Sequence, residues 1–135
     1  IVLKKYSPME SIEESALKYV NSFNQVLKRN VIVCDKEKVI AVSGELRKKY
    51  IGKGISEQMM HSMERRDSFV ERQKKEFSFV DGITDVGYYS FCSIVSNGDL
   101  LGAVIIVSLT SALSESEEQM AVILAKLLEN KFICD

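Results

Sequence analysis

Two stretches of this chain carry apolar residues on both alternate faces, and that pattern fits only a strand covered on two sides. In Val31–Cys34, Val31 and Val33 fall on one face while Ile32 and Cys34 fall on the other. Leu100–Val107 is almost continuously apolar, with Gly102 inside. Strands of this kind sit near the middle of a covered sheet. The first pairs with Val39–Val42 across the charged turn Asp35-Lys36-Glu37-Lys38 and reads as a β-hairpin. The second follows Tyr88–Ser96 across Asn97-Gly98-Asp99. An Asn-Gly turn between strand-forming runs is the strongest short-range hairpin signal.

Helical spacing brackets these strands. Ser7 is placed to cap a helix and Pro8 to occupy its first position. Met9, Ile12, Ala16, Tyr19, Val20, Phe23, Val26 and Leu27 then recur at helical intervals up to Arg29, and Asn30 is expected to end the helix. Leu17 falls off the main stripe. Ser114 caps a final helix whose first turn holds Glu115, Glu117 and Glu118 at the positive end of the helix dipole. Its apolar set is Met120, Ala121, Ile123, Leu124, Leu127, Leu128 and Phe132, more than one face needs. The surplus is expected to meet another copy, with Ile12, Leu17, Val20, Leu124 and Leu128 as the interface.

The middle is less regular. Gly44–Gly54 is expected to be a loop or short irregular turn, and Ile55–Met63 a short helix capped by Ser56. The charged run Glu64–Glu76 reads as a helix end, an edge strand and a connector, Phe77–Val80 as a brief strand, and Asp81–Gly87 as a loop. The sum is an α+β fold with an antiparallel sheet and both terminal helices on one face.

Composition narrows the function. At 135 residues the chain has the size of one domain. Its net charge is -1, whereas a domain that grips nucleic acid by itself is basic overall. No apolar run reaches the roughly 20 residues that span a bilayer, and no signal peptide opens the chain. Cys34, Cys92 and Cys134 are far apart and odd in number, which is no disulfide framework and points to a reducing, cytoplasmic setting. Residues 1–6, Ile-Val-Leu-Lys-Lys-Tyr, read as the trailing strand of a preceding domain.

Several blocks carry a family resemblance: the junction Ile1–Pro8, then Val33-Cys34-Asp35 with Ile40–Gly44, then Ile55-Ser56-Glu57, then Ile94–Asp99 with Gly102–Ile105. In these the chain resembles a GAF domain, a cousin of the PAS sensor fold. More narrowly, it is similar to the C-terminal domain of the stage V sporulation protein T family of transcription regulators. The stretch from Arg65 to Tyr89 matches poorly. The resemblance implies that residues 1–8 end an AbrB-type DNA-binding domain and that 9–135 form the GAF domain. It also implies a homo-oligomer, with DNA reached only through the absent N-terminal domain, and no membrane partner.

GAF domains commonly hold a small molecule between the open sheet face and the irregular middle. The candidate lining is Cys34, Ser43, Tyr50, Ile55, Met59, Phe79, Tyr89, Phe91 and Ser93, an apolar wall with a few hydroxyls. The same residues suit an ordinary packed core equally well. His61 beside Met59, Met60 and Met63 invites a soft-metal reading, but methionines at helical spacing are ordinary core filler. No metal or cofactor is expected, and no catalytic residue. A purely structural assembly module is the alternative. A thiol redox enzyme of GAF fold is the remoter one, since its cysteines would need exposure and a lowered pKa. The basic loop Arg47–Lys53 reads first as solvated surface.

Overall fold

The computed structural model describes residues 8–66 and 68–134, and side chains for 13–66 and 68–130. In chain order the elements are α1 (Pro8–Leu27), β1 (Asn30–Cys34), β2 (Val39–Ser43), α2 (Arg47–Tyr50), α3 (Glu57–Glu64), β3 (Ser68–Val80), β4 (Ile83–Ser96), β5 (Asp99–Ser108) and α4 (Glu115–Cys134). The strands form one sheet in the order β2-β1-β5-β4-β3, every neighbour antiparallel. The two stretches apolar on both faces, β1 and β5, lie side by side in its interior, as their patterning requires.

Each face carries its own core. On one, Val31, Val33, Ile94, Val104 and Ile106 pack against Ala16 and Val20 of α1 and Ala121, Leu124, Ala125 and Leu128 of α4. The expected sharing of a face by the terminal helices therefore holds. On the other, Ile32, Cys34, Phe91, Ala103, Ile105 and Val107 pack against Leu46, Tyr50, Met59 and Met63. The β4–β5 turn is built as the Asn-Gly pair predicts: Asn97 and Gly98 have φ of 52° and 81°, the left-handed pair that matches strand twist.

The helix cover is fixed by reciprocal hydrogen bonds. The Glu117 amide donates to Ser114 Oγ (3.2 Å) and the Ser114 amide to Glu117 Oε1 (2.8 Å), a capping box. Ser90 Oγ donates to the Glu118 carbonyl at 2.7 Å. An irregularity between Ile94 and Val95 breaks the β4–β5 register, and the Val95 amide donates to Glu129 Oε1 of α4 at 3.1 Å.

Three expectations are corrected. Helix α1 ends at Leu27, and Asn30 is the buried first residue of β1, where its Oδ1 accepts the Leu46 amide at 2.9 Å. The charged run after α3 holds the expected helix end and edge strand but no connector: Ser68–Val80 is one 13-residue strand at the sheet edge, and β4 already begins at Ile83. An edge strand needs only its ladder to β4 and one half-apolar face, so its charges stay in water. The Gly44–Gly54 loop contains the one-turn helix α2. The Ser7 cap and residues 1–6 lie outside the described residues.

The segment Gly52–Ser56, here called the strap, touches both sheet edges. At β2, the Val39 amide donates to the Lys53 carbonyl (2.9 Å) and the Gly52 amide to the Val39 carbonyl (3.0 Å). At β3, the Ser56 amide donates to the Phe79 carbonyl (2.9 Å), and the Asp81 amide donates to the Gly54 carbonyl (3.1 Å). The strap thus draws the two edges together beneath the second core.

Two outcomes follow from this packing. A Cβ at Gly102 would lie 2.0 Å from the Cys34 carbonyl oxygen and 3.0 Å from Asp35 Cα, both backbone. Gly102→Ala is expected to cost about 1–3 kcal/mol or more, read from the urea midpoint. The second outcome concerns acid. Burial opposes ionisation of Glu117, but the Ser114 amide and Arg29 (2.9 Å) outweigh it and lower its pKa, while the Arg72 fork lowers that of Glu118. Such groups contribute stability above the unfolded carboxylate pKa, which is lost as pH falls through the lower folded value. Urea midpoints should therefore drop from about pH 4.5 downward, and less steeply in Glu117→Gln.

Candidate functional site

Strand parity sorts the nine candidate residues. Cys34, Tyr50, Met59, Phe79, Tyr89 and Phe91 are buried in the strap-side core, and Ile55 packs against it half-buried. Ser93 shares their face of β4 and donates from Oγ to the Met63 carbonyl at 3.1 Å. Ser43 does not join them. It pairs with Val31, a residue of the helix-side core, so it lies on the opposite face of the sheet.

The centre of the strap-side core is aromatic. Phe69 stacks on Phe91 at 4.8 Å and Phe77 on Phe79 at 4.5 Å between centroids. Tyr89 meets Phe69, Phe77 and Phe79 edge-on at 6.0, 5.5 and 5.1 Å. These offset and edge geometries are the favoured ones for ring pairs. The Arg65 guanidinium lies 5.2 Å over the half-buried Phe69 ring.

The cover above this cluster is α2 and α3. Helix α3 starts at Ser56, whose Oγ accepts the Met59 amide (3.0 Å) and donates to the Ser78 carbonyl (2.6 Å), tying helix to β3. Helix α2 is held at its start by Asn30 and at its end by Asp85 of β4. Tyr50 Oη donates to Asp85 Oδ2 at 2.6 Å, and Lys49 Nζ pairs with Oδ1 at 2.6 Å. Burial and the neighbouring Asp85 carboxylate push the Tyr50 phenol above its usual range, so it remains a donor.

Sequence reading missed Phe69, Phe77, Met63, Asn30 and Asp85. Asp85 was hidden by treating Asp81–Gly87 as loop. Extending β4 back to Ile83 puts Asp85 two positions at a time from Tyr89, on the same face.

Neither buried cysteine suits redox work. Burial pushes the Cys34 thiol up to about 12, and its Sγ rests 3.9 Å from Met63 Sδ; Cys92 is buried in the helix-side core. Met59 and Met63 are core and His61 is exposed, and the described residues contain no group of three or more His, Cys, Asp or Glu placed to hold a metal ion. Of the interface candidates, Val20, Leu124 and Leu128 are consumed by the chain's own core. Leu17 stays 39% exposed, and on α4 the exposed apolar residues are Ile123 and Leu127. The side chain of Ile12 lies outside the described residues.

Tyr50→Phe removes one charge-assisted hydrogen bond and is expected to destabilise by about 1–3 kcal/mol. Hydrogen exchange should quicken at strap amides such as Ile55 and Ser56 while β5 amides keep their protection. A disulfide reagent at neutral pH should leave Cys34 and Cys92 unmodified until the chain is unfolded.

Known proteins bear out this architecture. The family described as stage V sporulation protein T C-terminal, transcription factor, matches residues 11–132. Stage V sporulation protein T of Bacillus subtilis (strain 168) is 38% identical over 120 residues, covering 88% of this chain and 67% of that protein. Among solved structures, the GAF domain of a phosphoenolpyruvate-protein phosphotransferase from Coxiella burnetii superposes with a TM-score of 0.67 at 21% identity, covering 91% of this chain and 83% of that one. The cofactor-binding GAF domain of the nutrient sensor CodY from Clostridium difficile gives 0.62 at 12% identity, covering 84% and 81%. These two likenesses are of fold. Among the described residues no helix is long and apolar enough to cross a membrane. With a five-stranded antiparallel sheet of GAF type and a sequence match over most of its length, the chain belongs to the family of the C-terminal domain of stage V sporulation protein T, a family of transcription factors.

Proposed function

We propose that this chain is the regulatory domain of a cytoplasmic transcription regulator, that it reads a small molecule at its strap-side face, and that it modulates DNA binding by an N-terminal domain. The observation that carries this is the construction of that face: an aromatic wall beneath a cover whose α2 end is fastened to one carboxylate, Asp85. A ligand that replaced part of the wall would loosen or tighten that fastening. The domain performs no catalysis in this reading.

Magnitudes limit how the face can work. Exposing a buried Phe, Met or Leu costs roughly 1.5–3 kcal/mol each. Lifting the cover off Tyr50, Met59 and Met63 would therefore cost several kcal/mol, far more than the polar ties contribute. An entering molecule must be mainly apolar and must refill the area it displaces. The dense ring packing also favours the second reading, an assembly module with a filled core and no ligand.

Self-association belongs to the same proposal. Among the described residues, Leu17 and Val26 on α1 and Ile123 and Leu127 on α4 are the large apolar residues that the terminal helices leave exposed, and a second copy would cover Leu17, Ile123 and Leu127.

Native mass spectrometry of the chain as purified from cells tests both parts. An oligomer with a reproducible extra mass is expected. A clean oligomer without adduct would favour the assembly module. Ile123→Asp with Leu127→Asp should give a monomer by size-exclusion chromatography, and an unchanged oligomer would overturn the helix interface.

A further inference from the structure

The chain's charge is unevenly placed. Residues 28–54 hold eight basic side chains and three acidic ones, although the whole chain has a net charge of -1. The fold gathers them along one edge. Strand β2 is the outermost strand, the strap pairs alongside it at Val39 and Lys38, and α2 sits at its far end. Lys28, Lys36, Lys38, Arg47, Lys48 and Lys53 are all exposed there, and no ion pair among the described residues uses any of them. The other two cations are occupied, Arg29 by Glu117 and Lys49 by Asp85.

The acids nearby are few or engaged. Asp35 spends an oxygen on the amides of Glu37 and Lys38 (2.7 and 2.8 Å), and Asp85 takes Tyr50 and Lys49. Glu37, Glu45 and Asp81 remain exposed. At the α1 end the edge runs into an open notch of about 270 Å³ lined by Asn24, Lys28, Arg29, Asn30, Gly44 and Glu45. Of this lining, Lys28 is the cation without an ion pair and Glu45 is a carboxylate, so the notch bounds the strip and adds one cation to it.

We propose that the exposed cations flanking β2, on the β1–β2 turn, α2 and the strap, form a docking strip for the phosphate backbone of duplex DNA. It gives a second, sequence-independent contact in a regulator whose specific contact lies elsewhere. A five-residue strand spans roughly 16 Å, and one DNA strand carries a charge about every 3.4 Å of axis, so several phosphates lie within reach. Alone the contact is weak. Tethered to a domain already on DNA, it gains from effective concentration without any new surface. The strip rests on this chain acting in a DNA-bound regulator and is independent of any ligand at the strap face.

The test titrates this chain with a random 20-base-pair duplex, followed by amide chemical shifts and fluorescence anisotropy from low to moderate salt. Shifts should cluster in residues 28–54. The slope of log affinity against log salt should be about -2.7 to -3.6, as for three or four neutralised phosphates. R47E/K48E/K53E should abolish binding, whereas K18E/K74E/K75E, of equal net charge, should retain it within about threefold. Absence of shifts at millimolar duplex, a salt-independent affinity, or equal loss in both triple variants would overturn the strip.

Discussion

A sheet whose inner strands are apolar on both faces has to be covered twice, and everything else in this molecule follows from that requirement. Strands β1 and β5 supply no polar face for water. The terminal helices meet one half of the demand, and the stretch from α2 through the strap to α3 meets the other. The two covers differ in kind. The helix side is broad and capped, and it is stitched to β4 through the Glu118 carbonyl and the Glu129 carboxylate. The strap side places two short helices over a cluster of rings.

Polar contacts here set geometry more than stability. A net hydrogen bond contributes about 1 kcal/mol, while each buried ring or methionine contributes roughly 1.5–3. Asn30 is therefore minor in energy, the charge-assisted tie to Asp85 is comparable to one buried side chain, and both are decisive in position, because they fix where α2 begins and ends. Glu117 and Glu118 act likewise at the start of α4. These neighbouring acids are taken by arginines from different places, Arg29 before β1 and Arg72 on the edge strand β3. One helix end is thus registered against both sides of the sheet.

The legible parts of this chain were those governed by local pattern. Both hairpins, both long helices, the Ser56 and Ser114 caps and the GAF type follow from periodicity, turn chemistry and resemblance. Errors arose where tertiary pairing overrides local signal. The charged run holds the expected edge strand, but Glu71–Glu76 gives no strand pattern of its own, and pairing with β4 carries the strand on to Val80. Asn30 looked like a helix stop because Asn suits that place, and the fold uses its amide inside. Seven of the nine candidate site residues fall in the strap-side core and Ser93 on its face, while the register of β2 sends Ser43 to the other. The interface residues picked from α1 and α4 were the most apolar ones, and for that reason three of them, Val20, Leu124 and Leu128, are internal.

The strap leaves the sheet with two unlike borders. Strand β3 keeps strangers away with its charged side chains. Strand β2 is buried along its whole length and carries only Ser43 as a polar side chain, and at its start, Val39, the strap pairs with its edge. Any molecule in which the strap lets go presents the start of an apolar strand with the donor and acceptor of Val39 unmet. Opening is then coupled to concentration: dilute chains re-close, while crowded ones pair edge to edge. Mutations that weaken the fastening would register first as turbidity, before any loss of secondary structure.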